Sequence, residues 1–252
     1  MTRVILHGCN GRMGRVITGM IAAEPEMKIV AGIDPFQGVV NEYPVYKAAA
    51  DCEIAADVII DFASAAAVDG LLAFAVEKQI PVVLCTTGLS EEQLAKVKEA
   101  SQKVAILRSA NMSLGVNLLM ELVKQAAAVL YDAGFDIEIV EKHHNQKLDA
   151  PSGTAIALGE AAKAGASDEL HNVYDRSQVR QKREHTEIGF SAVRGGTITG
   201  EHDVIFAGTD EVVTLSHTAY SRAVFAKGAV QAAKYLAGKP AGLYQMKDVV
   251  GL

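Results

Sequence analysis

The chain has 252 residues, half of them hydrophobic and 21% charged, without a single tryptophan. That mix excludes a disordered or fibrous chain, and the length suits one large domain or two modest ones. With 24 Lys and Arg against 30 Asp and Glu, the net charge is -6; no basic stripe with interleaved aromatics appears, so nucleic acid is not an expected partner.

The opening MTRVILHG reads as a strand and not as a signal peptide, and no apolar run approaches about 18 residues, so no membrane partner is expected. Arg3 to His7 forms that first strand, followed by Gly8-Cys9-Asn10-Gly11-Arg12-Met13-Gly14. Glycines let a chain turn sharply and let a pyrophosphate approach the amides at a helix start. The spacing G-x-x-G-x-x-G departs from the usual G-x-G-x-x-G, and a structural turn is the plain alternative. Its context favours a dinucleotide: a helix over Arg15 to Ala23, a second strand over Lys28 to Ile33, then Asp34 about 20 residues past Gly14, where an acid receives ribose hydroxyls.

Asp57 to Phe62 is a strand apolar on both sides, as a parallel sheet requires. A helix from about Ser64 to Lys78, a strand over Pro81 to Cys85, a helix opened by Ser90-Glu91-Glu92-Gln93 and a strand over Val104 to Leu107 continue the alternation. Ser-x-x-Gln has the form of a capping box. The pattern predicts an α/β fold with an N-terminal Rossmann-type, doubly wound parallel sheet. Two loops on its carboxyl edge, Cys85-Thr86-Thr87-Gly88 and Ser109-Ala110-Asn111-Met112, lie where a nicotinamide end would rest. Three cysteines, Cys9, Cys52 and Cys85, stand far apart with no CxxC. That argues against a disulfide framework or a zinc site and for a reducing, cytoplasmic compartment.

The pattern changes after Ser109. A helix from about Gly115 to Tyr131 precedes Asp136 to Ile139, a half-exposed strand by its alternation. Strand-like runs follow at Ile188 to Arg194, Thr197 to Ala207 and Glu211 to Thr218, predicting an open, mostly antiparallel sheet in a second α+β domain. Ser167 to His185, polar and charged, reads as a mobile surface loop. A last helix, Arg222 to Leu236, is amphipathic. The expected division is residues 1–112 for dinucleotide binding, with the C-terminal helix of about 220–252 returning to it, and 113–219 for substrate binding and oligomerisation.

The unusual stretch is EKHHNQKLDAPSGTA, Glu141 to Ala155. Ser152-Gly153-Thr154 follows Pro151 and opens an alanine-rich helix, so its N–H groups, positive dipole end and two hydroxyls suit a carboxylate or phosphate. His143, His144 and Lys147, on the loop leading to it, add donors and positive charge. Histidine can also deliver a proton where negative charge develops. Ser152 as a simple N-cap and Lys147 as a solvated lysine are the plainer readings. Adjacent histidines on an extended chain face opposite ways, and no third ligand has helical spacing, so no metal is expected. His7, His171, His185, His202 and His217 read as structural. Arg194-Gly195-Gly196-Thr197 reads as a turn that could face the site.

GCNGRMG at 8–14, CTTG at 85–88, SANMSLGVN at 109–117 and above all EKHHNQKLDAPSGTA resemble the 4-hydroxy-tetrahydrodipicolinate reductase (dihydrodipicolinate reductase) family. The likeness extends to VRGGTITGEHDVIFAG and GLYQMKDVVGL. It implies a homotetramer with a Rossmann domain and a substrate domain, hydride from NADH or NADPH, and a dicarboxylate ring compound as substrate, in the diaminopimelate route to lysine. By resemblance His143 is a proton donor or acceptor, Lys147 a second donor, and His144, Ser152, Gly153 and Thr154 substrate contacts. The cofactor positions fall on Gly8, Cys9, Asn10, Gly11, Arg12, Met13, Asp34, Cys85, Thr86, Thr87, Ser109, Ala110, Asn111 and Met112. Two departures stand out: Cys85 occupies a position where glycine is commoner, and Asp34 is followed by Pro35-Phe36-Gln37 without an arginine. Another two-domain NAD(P) enzyme, such as an aspartate or diaminopimelate dehydrogenase, is the runner-up within enzymes; a non-catalytic dinucleotide sensor is the runner-up outside them.

Overall fold

The computed structural model describes residues 1–109, 111–177 and 180–251. It divides into two units, Met1–Ser113 with Ala223–Gly251, and Leu114–Arg222.

The first unit begins β1 (Thr2–His7), α1 (Arg12–Ala22), β2 (Met27–Ile33), β3 (Val45–Tyr46), β4 (Val58–Asp61), α2 (Val68–Lys78), β5 (Val82–Leu84), α3 (Glu91–Ser101) and β6 (Ala105–Arg108). All four residues of β4 are buried, because helices cover both faces of a parallel sheet. Ser90 caps α3 as its sequence predicts: its Oγ accepts from the Gln93 N–H at 3.2 Å, and its own N–H donates to Gln93 Oε1 at 3.2 Å. α1 starts at Arg12, three residues before the expected Arg15, since the turn has closed by Gly11, whose N–H donates to the Gly8 carbonyl at 3.1 Å.

The second unit contains α4 (Leu114–Leu130), β7 (Asp136–His143), α5 (Gly153–Gly165), β8 (His171–Val173), β9 (Glu187–Arg194), β10 (Gly200–Ala207) and β11 (Val212–Ala219). Its sheet runs β11-β10-β7-β9-β8. The expected mostly antiparallel sheet is a mixed one: β10 pairs antiparallel with β11 and β7, while β7–β9 and β9–β8 are parallel. A parallel pair needs a long crossover, and α5 provides it between β7 and β9. α4 and α5 bury Leu119, Val123 and Leu158 against Ile139, Phe190, Val204 and Phe206 of the sheet.

The segment expected as a mobile loop, Ser167 to His185, is tied down among its described residues. β8 adds a strand to the sheet edge, and Arg183 donates to Asp136 at 2.7 Å, to Glu138 at 2.9 Å and to the Ile137 carbonyl at 2.9 Å. Polar composition misled here because the polar groups bind each other as well as water.

The chain then returns to the first unit with α6 (Ala223–Leu236), β12 (Gly242–Tyr244) and α7 (Met246–Val250). The seven-stranded sheet has the order β12-β6-β5-β4-β1-β2-β3, with every pairing parallel. Successive strands spread one way from β1 and the other way from β4, so the carboxyl end of β1 lies at the topological switch point, where open α/β sheets bind ligands. Ile5, Ile33, Ile59, Leu71, Phe74 and Leu84 form the core beneath it; each such side chain, fully buried, contributes about 1.5–3 kcal/mol.

Candidate active site

At the switch point the glycine turn is shaped by lack of space. Gly8 has φ +80°, and a Cβ there would lie 2.6 Å from the Phe62 carbonyl oxygen. At Gly14 a Cβ would lie 2.3 Å from the Gly8 oxygen. Without side chains, the turn presents backbone amides at the start of α1, the arrangement that accepts a pyrophosphate. Asp34, just past β2, is buried, and its two oxygens accept from the N–H groups of Asn10 at 3.0 Å and Phe36 at 2.9 Å. The Asn10 side chain donates to the Phe36 carbonyl and accepts from Asn41. The loop after Asp34 is thereby strapped to the turn.

The other expected cofactor positions differ in what they can offer. Cys9 is fully buried, its Sγ packed where a Cβ on Gly32 would fall, and burial raises its thiol pKa to about 11. Arg12 is exposed and Met13 half-buried. At the end of β5, Cys85 is half-buried and Thr87 exposed, while the Thr86 N–H donates to Asp61 at 3.3 Å. Thr86 Oγ1 is buried without a protein partner, the kind of group a ligand satisfies. Asp61 also bonds His7 Nδ1 at 2.7 Å, which fixes the neighbouring strand ends together. After β6, Ser109 and Asn111 are half-buried, Met112 is buried and Ala110 lies outside the described residues. A glycine-walled turn, an acid at the next strand end and an unsatisfied hydroxyl fit a dinucleotide.

The second unit builds its site on β7. The strand alternates along its whole length, so Ile137, Ile139, Glu141 and His143 share the buried face. His143 is therefore the last strand residue and not, as the sequence suggested, part of a loop. His143 Nδ1 lies 2.6 Å from Glu141 Oε2. Arg194, at the end of β9, grips the same carboxylate with two bonds, at 2.7 Å to Oε2 and 2.6 Å to Oε1. The Ser152 N–H donates to Oε1 at 3.0 Å. Burial pushes Glu141 up, but the bonds from Arg194 and His143 outweigh it and leave its pKa below the usual value. For His143, burial wins over Glu141 and lowers the pKa.

Ser152 is the N-cap of α5: its Oγ accepts from the Ala155 N–H at 3.1 Å and lies 2.9 Å from His202 Nε2. Buried and so engaged, that hydroxyl holds the helix start in place, while Gly153 is exposed and Thr154 half-buried at the positive end of α5. His144 faces the other way, lining a cavity of about 340 Å³ with Asn145, Gly196, Thr197, Thr199 and Arg222. Lys147 Nζ donates to Asp149 Oδ1 at 2.8 Å. His143 and the start of α5 thus meet at Glu141, and the Lys147 charge acts on the His143 ring.

Residues 2–112 match the family description "Dihydrodipicolinate reductase, N-terminus" and residues 115–250 match "Dihydrodipicolinate reductase, C-terminus". The chain belongs to the dihydrodipicolinate reductase family. It is 52% identical, over 99% of its own length and 98% of the relative's, to the 4-hydroxy-tetrahydrodipicolinate reductase of Caldanaerobacter subterraneus. Among solved structures, a dipicolinate-bound dihydrodipicolinate reductase from Paenisporosarcina sp. TG-14 superposes with a TM-score of 0.81 at 25% identity, covering 97% of both chains. A DAP dehydrogenase of C. glutamicum in complex with DAP shares the fold alone, with a TM-score of 0.56 at 14% identity over 99% of this chain and 95% of that one.

Sequence reasoning missed Glu141 and His202 as members of this centre, and gave Arg194 only as part of a turn that could face the site. The signal was present: continuing the period of two from Ile137 and Ile139 places Glu141 and His143 on the core face, and a buried acid needs partners. His202, read as structural, stacks edge-on against His143 with ring centroids 5.1 Å apart.

Proposed function

We propose that the chain reduces 4-hydroxy-tetrahydrodipicolinate to tetrahydrodipicolinate, with loss of water and with NADH or NADPH as reductant. The observation that carries this is the meeting of His143 and the start of α5 at Glu141, with Lys147 near enough to His143 for its charge to act on that ring, in a chain whose family description covers both units. Gly8, Gly11 and Gly14 with Asp34, Thr86 and the Ser109–Met112 loop would hold the dinucleotide. When bound, that group supplies the hydride. The start of α5 at Gly153 and Thr154 binds one substrate carboxylate, and Lys147 exchanges Asp149 for substrate charge. A dipicolinate-bound relative supports a small dicarboxylate as the ligand.

As hydride adds to the conjugated imine, negative charge builds in the ring. Fixed positive charge and N–H donors aimed at that charge lower the barrier. His143 Nε2 or Lys147 Nζ delivers the proton that quenches it, so one hydride and one proton enter while water leaves. The reading assigns no metal, since the cation and the helix start already serve the anion. The homotetramer rests on family likeness, and the cytoplasmic location on the cysteine pattern; among the described residues no helix is long and apolar enough to cross a membrane. The test is NADH and NADPH oxidation with substrate freshly made from pyruvate and aspartate semialdehyde. Turnover dependent on that mixture is expected. Tight NADH binding without turnover would favour the non-catalytic sensor.

A further inference from the structure

Glu141 is fully buried and continues the run of Ile137 and Ile139, where an apolar residue would extend the core without needing partners. Its four protein neighbours are all N–H groups: two from Arg194, one from Ser152 and the Nδ1 of His143. An arginine keeps its proton and a backbone amide can only donate. The carboxylate is then the acceptor for every one of them, and the hydrogen between Glu141 and His143 belongs to Nδ1. At the far side of the ring, Nε2 lies 3.0 Å from where a Cβ on Gly200 would stand; only glycine leaves that nitrogen uncrowded.

We propose that Glu141, clasped by Arg194, is the positioning residue of the site: one buried carboxylate fixes the proton on Nδ1 of His143, makes Nε2 the working nitrogen, and ties the start of α5 to the same point. This rests on the reading of the site as a reductase site and extends it. In the proton-transfer step the imidazolium carries N–H on both nitrogens. The Nε2 proton goes to the reduced ring, the Nδ1–H···Glu141 bond persists, and the neutral ring regains a proton from water. Glu141 never takes the proton itself. A buried ion pair is weak evidence for stability, because desolvation offsets the attraction; orientation is what this one supplies. Sharing one acceptor between His143 and the Ser152 amide keeps the proton donor and the carboxylate site in fixed relation.

Nitrogen-15 NMR of histidine-labelled full-length protein tests this without a variant. Above the pKa of His143, the neutral ring is expected to carry its proton on Nδ1; a bare Nδ1 with the proton on Nε2 overturns the proposal. Kinetics of Glu141→Gln and Arg194→Lys give the second arm. In Glu141→Gln, kcat is expected to fall roughly 10²-fold, the low end of what a positioned general acid contributes, with NADH Kd unchanged. The limb of the kcat–pH profile belonging to His143 is expected to move. The charged and titratable groups facing that ring are Glu141 on β7, Arg194 on β9, His202 on β10 and Lys147 on the following loop. Arg194→Lys keeps both charges but loses the two-pronged grip, so a smaller loss of kcat with NADH Kd unchanged and little movement of that limb is expected, and it carries this arm if the glutamine variant does not fold. Wild-type kcat and pH profile in a folded variant would reduce Glu141 to a core ion pair. Failure of the reductase reading would look different: wild-type protein would not turn over substrate at all, whatever the tautomer.

Discussion

The Ser152 hydroxyl lies 2.9 Å from Nε2 of His202, and both side chains are buried. Burial, reinforced by the charge on His143, lowers the His202 pKa to about 4 from 6.5. Between those values the unfolded chain binds a proton there that the folded chain does not. Stability is therefore full above about pH 6.5 and is lost as pH falls toward about 4, by on the order of 3 kcal/mol from this residue. His143 and His217, lowered in the same direction by burial, act with the same sign. The denaturant midpoint should drop between about pH 7 and about pH 5, above the window in which carboxylates such as Glu141 titrate. A midpoint that stays flat or rises over that range would contradict the buried neutral state of His202.

Thr154 stands at the second position of α5 with its side chain half-buried. Thr154→Val removes a hydroxyl at nearly constant shape. A hydrogen bond to a charged group contributes about 1.5–3 kcal/mol, so substrate KM should rise roughly ten- to a hundredfold with NADH affinity unchanged. Equal loss of both affinities would show that the helix start serves folding and not the substrate.

Much of this arrangement was legible in the sequence, and the reasons differ by element. β4 and the Ser90 cap were readable because each rests on local chemistry, full burial in one case and a four-residue hydrogen-bond pattern in the other. The parallel pairing of β7 with β9 was not readable, since it depends on which sheet edge the α5 crossover reaches. Short β3, β12 and α7 carry too few residues for a period to show. At the site, His143 and Lys147 stood out by residue type. Arg194, more than fifty positions from Glu141 in the chain, showed as part of a turn that could face the site but without its partner, because that partner is set by strand register (His143 opposite Arg194) and not by spacing.

On the cofactor, both Asp34 oxygens already accept backbone N–H groups, and Pro35-Phe36-Gln37 place no cation beside it. A carboxylate there receives free ribose hydroxyls and repels a 2′-phosphate. NADH should be used at least as well as NADPH. Steady-state kcat/KM for the two cofactors decides it: a preference for NADPH of about tenfold or more, equivalent to about 1.4 kcal/mol, would mean that Arg12 or Arg15 outweighs the acid.

Turnover by His143→Gln and Lys147→Ala, measured beside NADH binding to the same folded proteins, tests most directly whether the paired-histidine stretch is proton-donating machinery. Each variant should lose kcat by roughly 10²- to 10⁴-fold with NADH affinity intact, and Lys147→Ala should also raise substrate KM. The double variant should lose less than the product of the singles, since both act on one event. A folded His143→Gln that keeps most of its kcat would contradict the account, leaving His143 a binding or packing residue.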